Sequence, residues 1–266
     1  MRRIYFLFLI IVLLSVWTIP VAAAVEPSEL DTEALDAYIT GQMSKHEIMG
    51  ISLAVTSGTK IVYLKGYGTA GAGRPMTPQT PMYIGSVSKS FTGLAVAQLI
   101  EQGKIDPNEP VQTYIPWFKV ADEEASKKIT INHLLHHTSG LSESGFFTVL
   151  RENATKEEAV GALALARLTA PVGARHQYFN YGYVVLTLII EHVTGQSYEE
   201  YIQQNIFDPL EMTSTFTDPQ LARQHGLSQG YSRFFGFVVP QRQPHRVYEI
   251  GEGFLMSTAE NMAHYA

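Results

Sequence analysis

Twice in this 266-residue chain a lysine follows a serine by three positions, at Ser57 with Lys60 and at Ser86 with Lys89. On a helix that spacing sets both side chains on one face about one turn apart, where an amine can take the hydroxyl proton and make the serine a nucleophile. An amine buried among apolar neighbours gives up its proton more readily, as a general base must. The two copies differ in setting. Ser57 and Lys60 flank Gly58-Thr59 between two apolar runs and read as a hairpin turn, which offers neither helix geometry nor a buried amine. Ser86 follows Gly85 and opens a run with Phe91, Leu94, Ala95, Ala97, Gln98 and Leu99, a helix over 86–102 stopped by Gly103. At such a helix start, free backbone N–H groups and the positive end of the dipole favour an oxyanion.

Other residues invite other chemistry. Gly226-Leu227-Ser228-Gln229-Gly230 spells the nucleophile elbow of esterases, which demands a strand-to-helix turn with its acid and histidine downstream. The residues that follow, Tyr231, Phe234, Phe235, Phe237, Val238 and Val239, read as strand instead, and only Glu249, Glu252, Glu260, His245 and His264 remain as partners. His133, His136 and His137 would supply two zinc ligands on one helical face, but no glutamate stands between them and no further ligand is near, so a helix end before the Ser139-Gly140 turn is the simpler reading. Tyr178 and Asn180, two apart before an apolar helix, point the same way on an extended or turning segment; a phenol and a carboxamide so placed suit passing a proton and orienting an amide.

The elements that must hold these groups follow from pattern. A helix over 30–47 comes first, then a β-hairpin from Ile51 to Gly66, a Gly- and Pro-rich loop from Gly68 to Pro81, and the Ser86 helix. Capping boxes at Thr155 with Glu158, Ser197 with Glu200 and Ser257 with Glu260 announce three more helices. Tyr183 to Val193 reads as a core helix, and Tyr231 to Val239 with Val247 to Ile250 as strand. A composition that is 45% hydrophobic and 17% charged describes an ordinary globular protein. The net charge of -6 has its basic residues scattered, which leaves no track for nucleic acid. With no cysteine, no disulfide or thiolate chemistry is available, and covalent catalysis must use oxygen or nitrogen. Arg2 and Arg3, the apolar run Ile4 to Ile19, Pro20 and Ala22-Ala23-Ala24 match a secretory signal over residues 1–24, so residues 25–266 form an exported domain, secreted or held on the outer face of the membrane. Membrane contact is expected only through that leader or a region beyond the chain.

Four strings, taken together, resemble the serine β-lactamase-related hydrolases, the penicillin-binding proteins and class C β-lactamase relatives. They are Tyr83-Ile84-Gly85-Ser86-Val87-Ser88-Lys89-Ser90-Phe91, Leu134-Leu135-His136-His137-Thr138-Ser139-Gly140-Leu141, Tyr178-Phe179-Asn180-Tyr181-Gly182-Tyr183 and Ile206-Phe207-Asp208-Pro209-Leu210-Glu211-Met212. The resemblance runs in order from about Leu30 to the last residue. It implies the α/β (α+β) penicillin-recognising fold, a helical region packed on an antiparallel sheet. It also implies Ser86 as the acylated nucleophile, Lys89 as its proton acceptor, Tyr178 as proton shuttle, Asn180 as a hydrogen bonder to the substrate amide, and no cofactor or metal. The substrate is then a small molecule or peptidoglycan-derived, with an amide, ester or lactam carbonyl: a D-alanyl peptide, a β-lactam or a small ester. One departure stands out: no Lys-Thr-Gly, Lys-Ser-Gly or His-x-Gly occurs. The family carries that third motif on a strand after the segment at Ser257-Thr258-Ala259-Glu260. The expectation is therefore a chain that lacks the C-terminal strands, with its hairpin left as an exposed sheet edge. The rival expectation is a fragment or penicillin-binding sensor module without turnover.

Overall fold

The computed structural model describes residues 30–146, 148 and 150–266, so the leader expected over residues 1–24 lies outside the described residues. The chain divides into Met1–Gly41 and Gln42–Ala266. Helix α1 (Thr32–His46) opens on Asp31, whose Oδ1 accepts from the Ala34 amide at 2.9 Å, and runs on into the second unit.

In the second unit, β1 (Gly50–Ser57) and β2 (Lys60–Gly71) form the antiparallel hairpin, with Ser57 opposite Lys60 and a bulge between Val55 and Thr56. The second strand is longer than expected and continues through 66–71, and β3 (Arg74–Pro75) pairs back onto it, so the expected 68–81 loop is partly sheet. Glycines permit this extension: a Cβ on Gly66 would lie 2.1 Å from the Met76 carbonyl oxygen, and Gly68 has φ +73°. The order is β1-β2-β3, which leaves β1 at an edge among the described residues.

Strand β4 (Met82–Tyr83) leads through a 3₁₀ turn at Gly85–Val87 into α2 (Ser88–Glu101). The helix therefore starts with a tighter turn than its pattern predicts, and Gly85 at φ +55° makes the entry. Short helices α3 (Val111–Tyr114), α5 (Ile131–Leu135) and α6 (Lys156–Ala162) pack around α7 (Tyr181–Thr194), with α4 (Glu123–Lys128) against α3, and ten successive residues of α7, Tyr181 to Ile190, are buried. A helix apolar all round must lie inside, and Gly195 in the left-handed region ends it. Helices α8 (Tyr198–Ile202) and α9 (Pro219–Gln224) follow, then the hairpin β5 (Gly230–Phe234) and β6 (Phe237–Gln241). The expected single run Tyr231–Val239 is thus split at Phe235-Gly236, both at positive φ. Strand β7 (Met256–Ser257) pairs with β4, and α10 (Ala259–Tyr265) packs on β1.

Two of the three capping boxes stand, at Thr155 with Glu158 and Ser197 with Glu200, and Thr130 with His133 makes another. The third does not. Ser257 lies in β7 with its hydroxyl 2.7 Å from that of Thr215, and Thr258 caps α10 by accepting from the Asn261 amide. Val247–Ile250 is not strand either: it forms a 3₁₀ turn, Val247–Glu249, and a wide π turn, Ile250–Phe254. Two carbonyls and one amide of that turn and its exit find partners on α2. Thr92 donates to the Gly251 carbonyl at 2.7 Å, Lys89 to the Glu252 carbonyl at 2.6 Å, and Ser88 accepts from the Leu255 amide at 3.2 Å. Buried backbone groups left unpaired would be costly, so three side chains of one helix face fix this turn.

Candidate active site

Ser86 sits in the 3₁₀ turn that enters α2, exposed, while Lys89 one turn on is 7% exposed. Lys89 Nζ donates to Ser86 Oγ at 3.4 Å and to Asn180 Oδ1 at 2.8 Å. The Tyr178 hydroxyl donates to Ser86 Oγ at 2.8 Å. The ammonium also lies 4.9 Å from the centroid of the Tyr178 ring and 5.6 Å from that of Tyr183, within the range where a π face attracts a cation. All four expected site residues therefore converge on one hydroxyl and one amine. Asn180 meets Lys89 from the turn that opens α7, at the end of the irregular segment 176–179, with its own backbone already in the helical region.

Backbone from the second string holds the Tyr178 segment in place. The Gly173 amide donates to the Thr138 carbonyl at 2.7 Å and the Gln177 amide to the His137 carbonyl at 2.7 Å. The Phe179 amide donates to His137 Nδ1 at 3.2 Å, and the His137 ring lies 4.5 Å from the Tyr178 ring. Burial, with His176 and Lys89 nearby, pushes the His137 imidazole down to about 4, so it is neutral at pH 7 and its Nδ1 accepts. His133 instead caps α5 and His136 turns to the Asn132 carbonyl, so the three histidines face three different partners. Gly140, at φ +82°, lets the Ala170 carbonyl approach to where a Cβ would be 2.3 Å away.

The rival serines lie elsewhere. Ser57 and Lys60 are exposed across the β1–β2 turn. Ser228 leads directly into β5, so the strand-to-helix elbow is absent there.

One acid was not singled out by its spacing. Glu252, 7% exposed, places Oε2 3.5 Å from Lys89 Nζ, the salt bridge of this amine. Burial outweighs the attraction of Lys89 and raises its carboxyl to about 7. It lines a cavity of about 460 Å³ with Asn180, Tyr181, Glu143, Glu249 and Arg246. In the sequence it stands as Gly251-Glu252-Gly253, and only the glycines hint at a backbone with special demands.

A serine hydroxyl in contact with an amine and a phenol, in the 3₁₀ turn that enters α2, lies within a mixed α/β architecture of the penicillin-binding and class C β-lactamase type. The chain belongs to the Beta-lactamase family, whose model matches residues 35–266. Teichoic acid D-alanine hydrolase of Staphylococcus aureus (strain MRSA252) is 37% identical over 201 residues, covering 74% of this chain and 47% of the relative. The octameric penicillin-binding protein homologue from Pyrococcus abyssi superposes with TM-score 0.78 at 32% identity, over 89% of this chain and 55% of that one. A class C β-lactamase from Rhodobacter sphaeroides gives 0.72 at 26%, over 88% and 64%. The chain spans about half the length of the curated relatives it matches. Among the described residues no helix is long and apolar enough to cross a membrane.

Proposed function

We propose that this chain is an exported serine hydrolase that acts through an acyl-enzyme on D-alanyl esters or amides of the cell envelope. The observation that carries the reading is the convergence of Tyr178 at 2.8 Å and Lys89 at 3.4 Å on Ser86 Oγ. In the first step Ser86 Oγ bonds to the carbonyl carbon as its proton passes to Lys89. The leaving alkoxide or amine takes that proton back, with the Tyr178 hydroxyl as the shuttle, and water then repeats the sequence to free the acyl group. Asn180 holds Lys89 in place and is near enough to bond a substrate amide. The Ser86 amide, at the head of the turn, supplies an oxyanion donor. Relatedness to a D-alanine hydrolase supports an ester or amide of D-alanine over a β-lactam as substrate. The leader over residues 1–24, cleaved before a domain of residues 25–266, would place the site where envelope polymers are.

The test is labelling by a fluorophosphonate, followed by hydrolysis of a D-alanyl ester, a D-alanyl-D-alanine peptide and a chromogenic β-lactam. Ser86→Ala should abolish labelling while Ser57→Ala and Ser228→Ala leave it intact. Label persisting on the Ser86 variant would overturn the assignment.

A further inference from the structure

A buried amine can act as a base only if something in its surroundings tolerates the loss of its charge. The acceptors around Lys89 Nζ are Ser86 Oγ, Asn180 Oδ1, the Glu252 carbonyl and Glu252 Oε2, at 3.4, 2.8, 2.6 and 3.5 Å. Three are neutral oxygens. The fourth is a carboxylate, and carboxylate and amine are both only 8% exposed at their side chains. The backbone bond and the side-chain contact come from the same residue, so the turn that fixes Lys89 also fixes the distance to its acid.

The other charged groups facing this carboxylate are already engaged. Glu249, on the preceding turn, accepts from Arg246 Nη1 at 3.2 and 3.0 Å and also bonds the Tyr248 hydroxyl. Glu143 accepts from the Asn180 amide at 2.9 Å. Tyr181 of α7 and Tyr248, whose hydroxyls burial holds well protonated at neutral pH, complete the wall with Phe254. The cavity beside Glu252 gives the carboxylate a path to solvent protons.

We propose that Glu252 is a positioning residue that shares one proton with Lys89, and that the proton Lys89 sheds to become a base resides on the Glu252 carboxylate. The inference rests on the acyl-enzyme reading of Ser86. The ion pair, ammonium with carboxylate, converts to amine with carboxylic acid by moving one proton along the Nζ–Oε2 contact. The amine lone pair takes the Ser86 proton as Oγ bonds to the carbonyl carbon and the carbonyl electron pair moves onto oxygen. On collapse that pair re-forms the carbonyl, the leaving-group bond breaks, and the leaving atom takes the proton back from the Lys89 ammonium. The amine and acid are then as they began, and no other reactant is needed. Burial that brings the Glu252 carboxyl up to about 7 makes this exchange far easier than with an exposed glutamate.

The pair has a signature that a plain structural salt bridge lacks. Below the pH at which Glu252 ionises, making the base means losing a proton to solvent, so acylation should rise about tenfold per pH unit. Above it the pair has already lost that proton, the base forms by internal transfer, and the rate should level off. Glu252→Gln cannot hold the proton, so its rate should keep rising past the bend. At pH 8.5 it should exceed wild type by about thirtyfold, which is tenfold per unit over about 1.5 units. Glu252→Asp should restore the bend.

The measurement is the fluorophosphonate labelling rate from pH 5.5 to 9 for the three chains. It is paired with ¹³C-carboxyl NMR titration of Glu252 in wild type and in Lys89→Met, the resonance being assigned by its absence from Glu252→Gln. The titration needs no turnover: Glu252 should have its midpoint near 7 and move up when the cation is removed. A wild-type rate that climbs without a bend, superimposed profiles for wild type and Glu252→Gln, or a Glu252 midpoint indifferent to Lys89 would each overturn the proposal. Coupling seen by NMR supports it even in a chain that never labels, in which case the acyl-enzyme reading has failed and not the shared proton.

Discussion

The π turn that carries Glu252 has a single weak point, Gly251, and replacing it by alanine tests whether the turn sets the position of Lys89. A Cβ there would lie 2.3 Å from Thr187 Cγ2, 2.7 Å from Thr92 Oγ1 and 3.0 Å from Tyr198 Cζ, against side chains that are all fully buried. Contacts that short cannot persist, so the turn must back away from α7 and α2 by about the van der Waals deficit, close to an ångström. Overpacking of this kind costs about 1–3 kcal/mol. The retreat also stretches the 2.7 Å bond from Thr92 to the Gly251 carbonyl and the 2.6 Å bond from Lys89 to the Glu252 carbonyl. Losing one such buried bond adds about 1 kcal/mol. The total is about 2–4 kcal/mol, a fall in melting temperature of roughly 5–15 °C for a domain of this size. Moving Lys89 should slow acylation by about tenfold or more, since a misplacement of about 1 Å can cost a hundredfold. Thr187→Ser removes the offending methyl and keeps the hydroxyl that donates to the Val184 carbonyl at 2.7 Å. Combined with Gly251→Ala it should recover about 1 kcal/mol as a coupling energy in a double-mutant cycle read by thermal and urea unfolding. If Gly251→Ala melts within about 1 °C of wild type and labels at the wild-type rate, the turn is not what holds the amine. If it destabilises with no coupling to Thr187, the clash is not the cause.

Lys89→Arg should fold and fail to label, because a guanidinium keeps its proton near neutral pH; wild-type labelling would mean that Lys89 supplies only charge. Lys156 is a second buried cation, bonded to Glu191 at 2.7 Å and to Glu199 at 3.0 and 3.1 Å, with its side chain 10% exposed. Lys156→Ala should cost about 3–5 kcal/mol in urea unfolding by stranding two carboxylates, a larger loss than for any exposed pair. Two groups should oppose each other in the pH dependence of melting. His137, held down to about 4, contributes stability that is full above 6.5 and lost as pH falls toward 4. Glu252, raised to about 7, contributes stability that is full below 4.5 and lost as pH rises through 7. Glu252→Gln should therefore melt at temperatures that climb with pH from 4 to 7 more steeply than wild type, and His137→Gln should show the reverse. Parallel curves for all three would refute both assignments.

What the sequence made legible was whatever depends on neighbours a few residues apart. Ser86 and Lys89 are linked by one helical turn, and Thr155 with Glu158 and Ser197 with Glu200 each complete a motif within three residues, so their geometry is already in their spacing. Tyr178 and Asn180 were found by type and by family likeness, and their convergence on Ser86 and Lys89 depends on the His137-Thr138 backbone, which holds their segment across about forty positions. Ser257 shows the failure of local reading: it satisfies the spelling of a capping box with Glu260, but Thr215, distant in sequence, claims its hydroxyl, and Thr258 is left to cap the helix. The Tyr231–Val239 run failed for a different reason. Alternating apolar residues signal strand without saying where the strand turns back, and here Phe235-Gly236 provides the reversal.

Glu252 is the extreme case, since its partner lies 163 positions away and the contact is made by a carbonyl that carries no side-chain identity. Any residue at 252 would present that carbonyl to Lys89, so the 2.6 Å bond alone would not select glutamate. Under the proposed shared proton, what favours glutamate is the burial of its side chain beside that amine, in a turn that Gly251 lets sit close to Thr187. The backbone bond fixes the lysine and the carboxylate sets its charge. Because both come from one residue, a shift of the turn cannot change one without changing the other. On that proposal the position and protonation of Lys89 form a single structural variable, and the pH profile and the Gly251 variant measure it from its two sides.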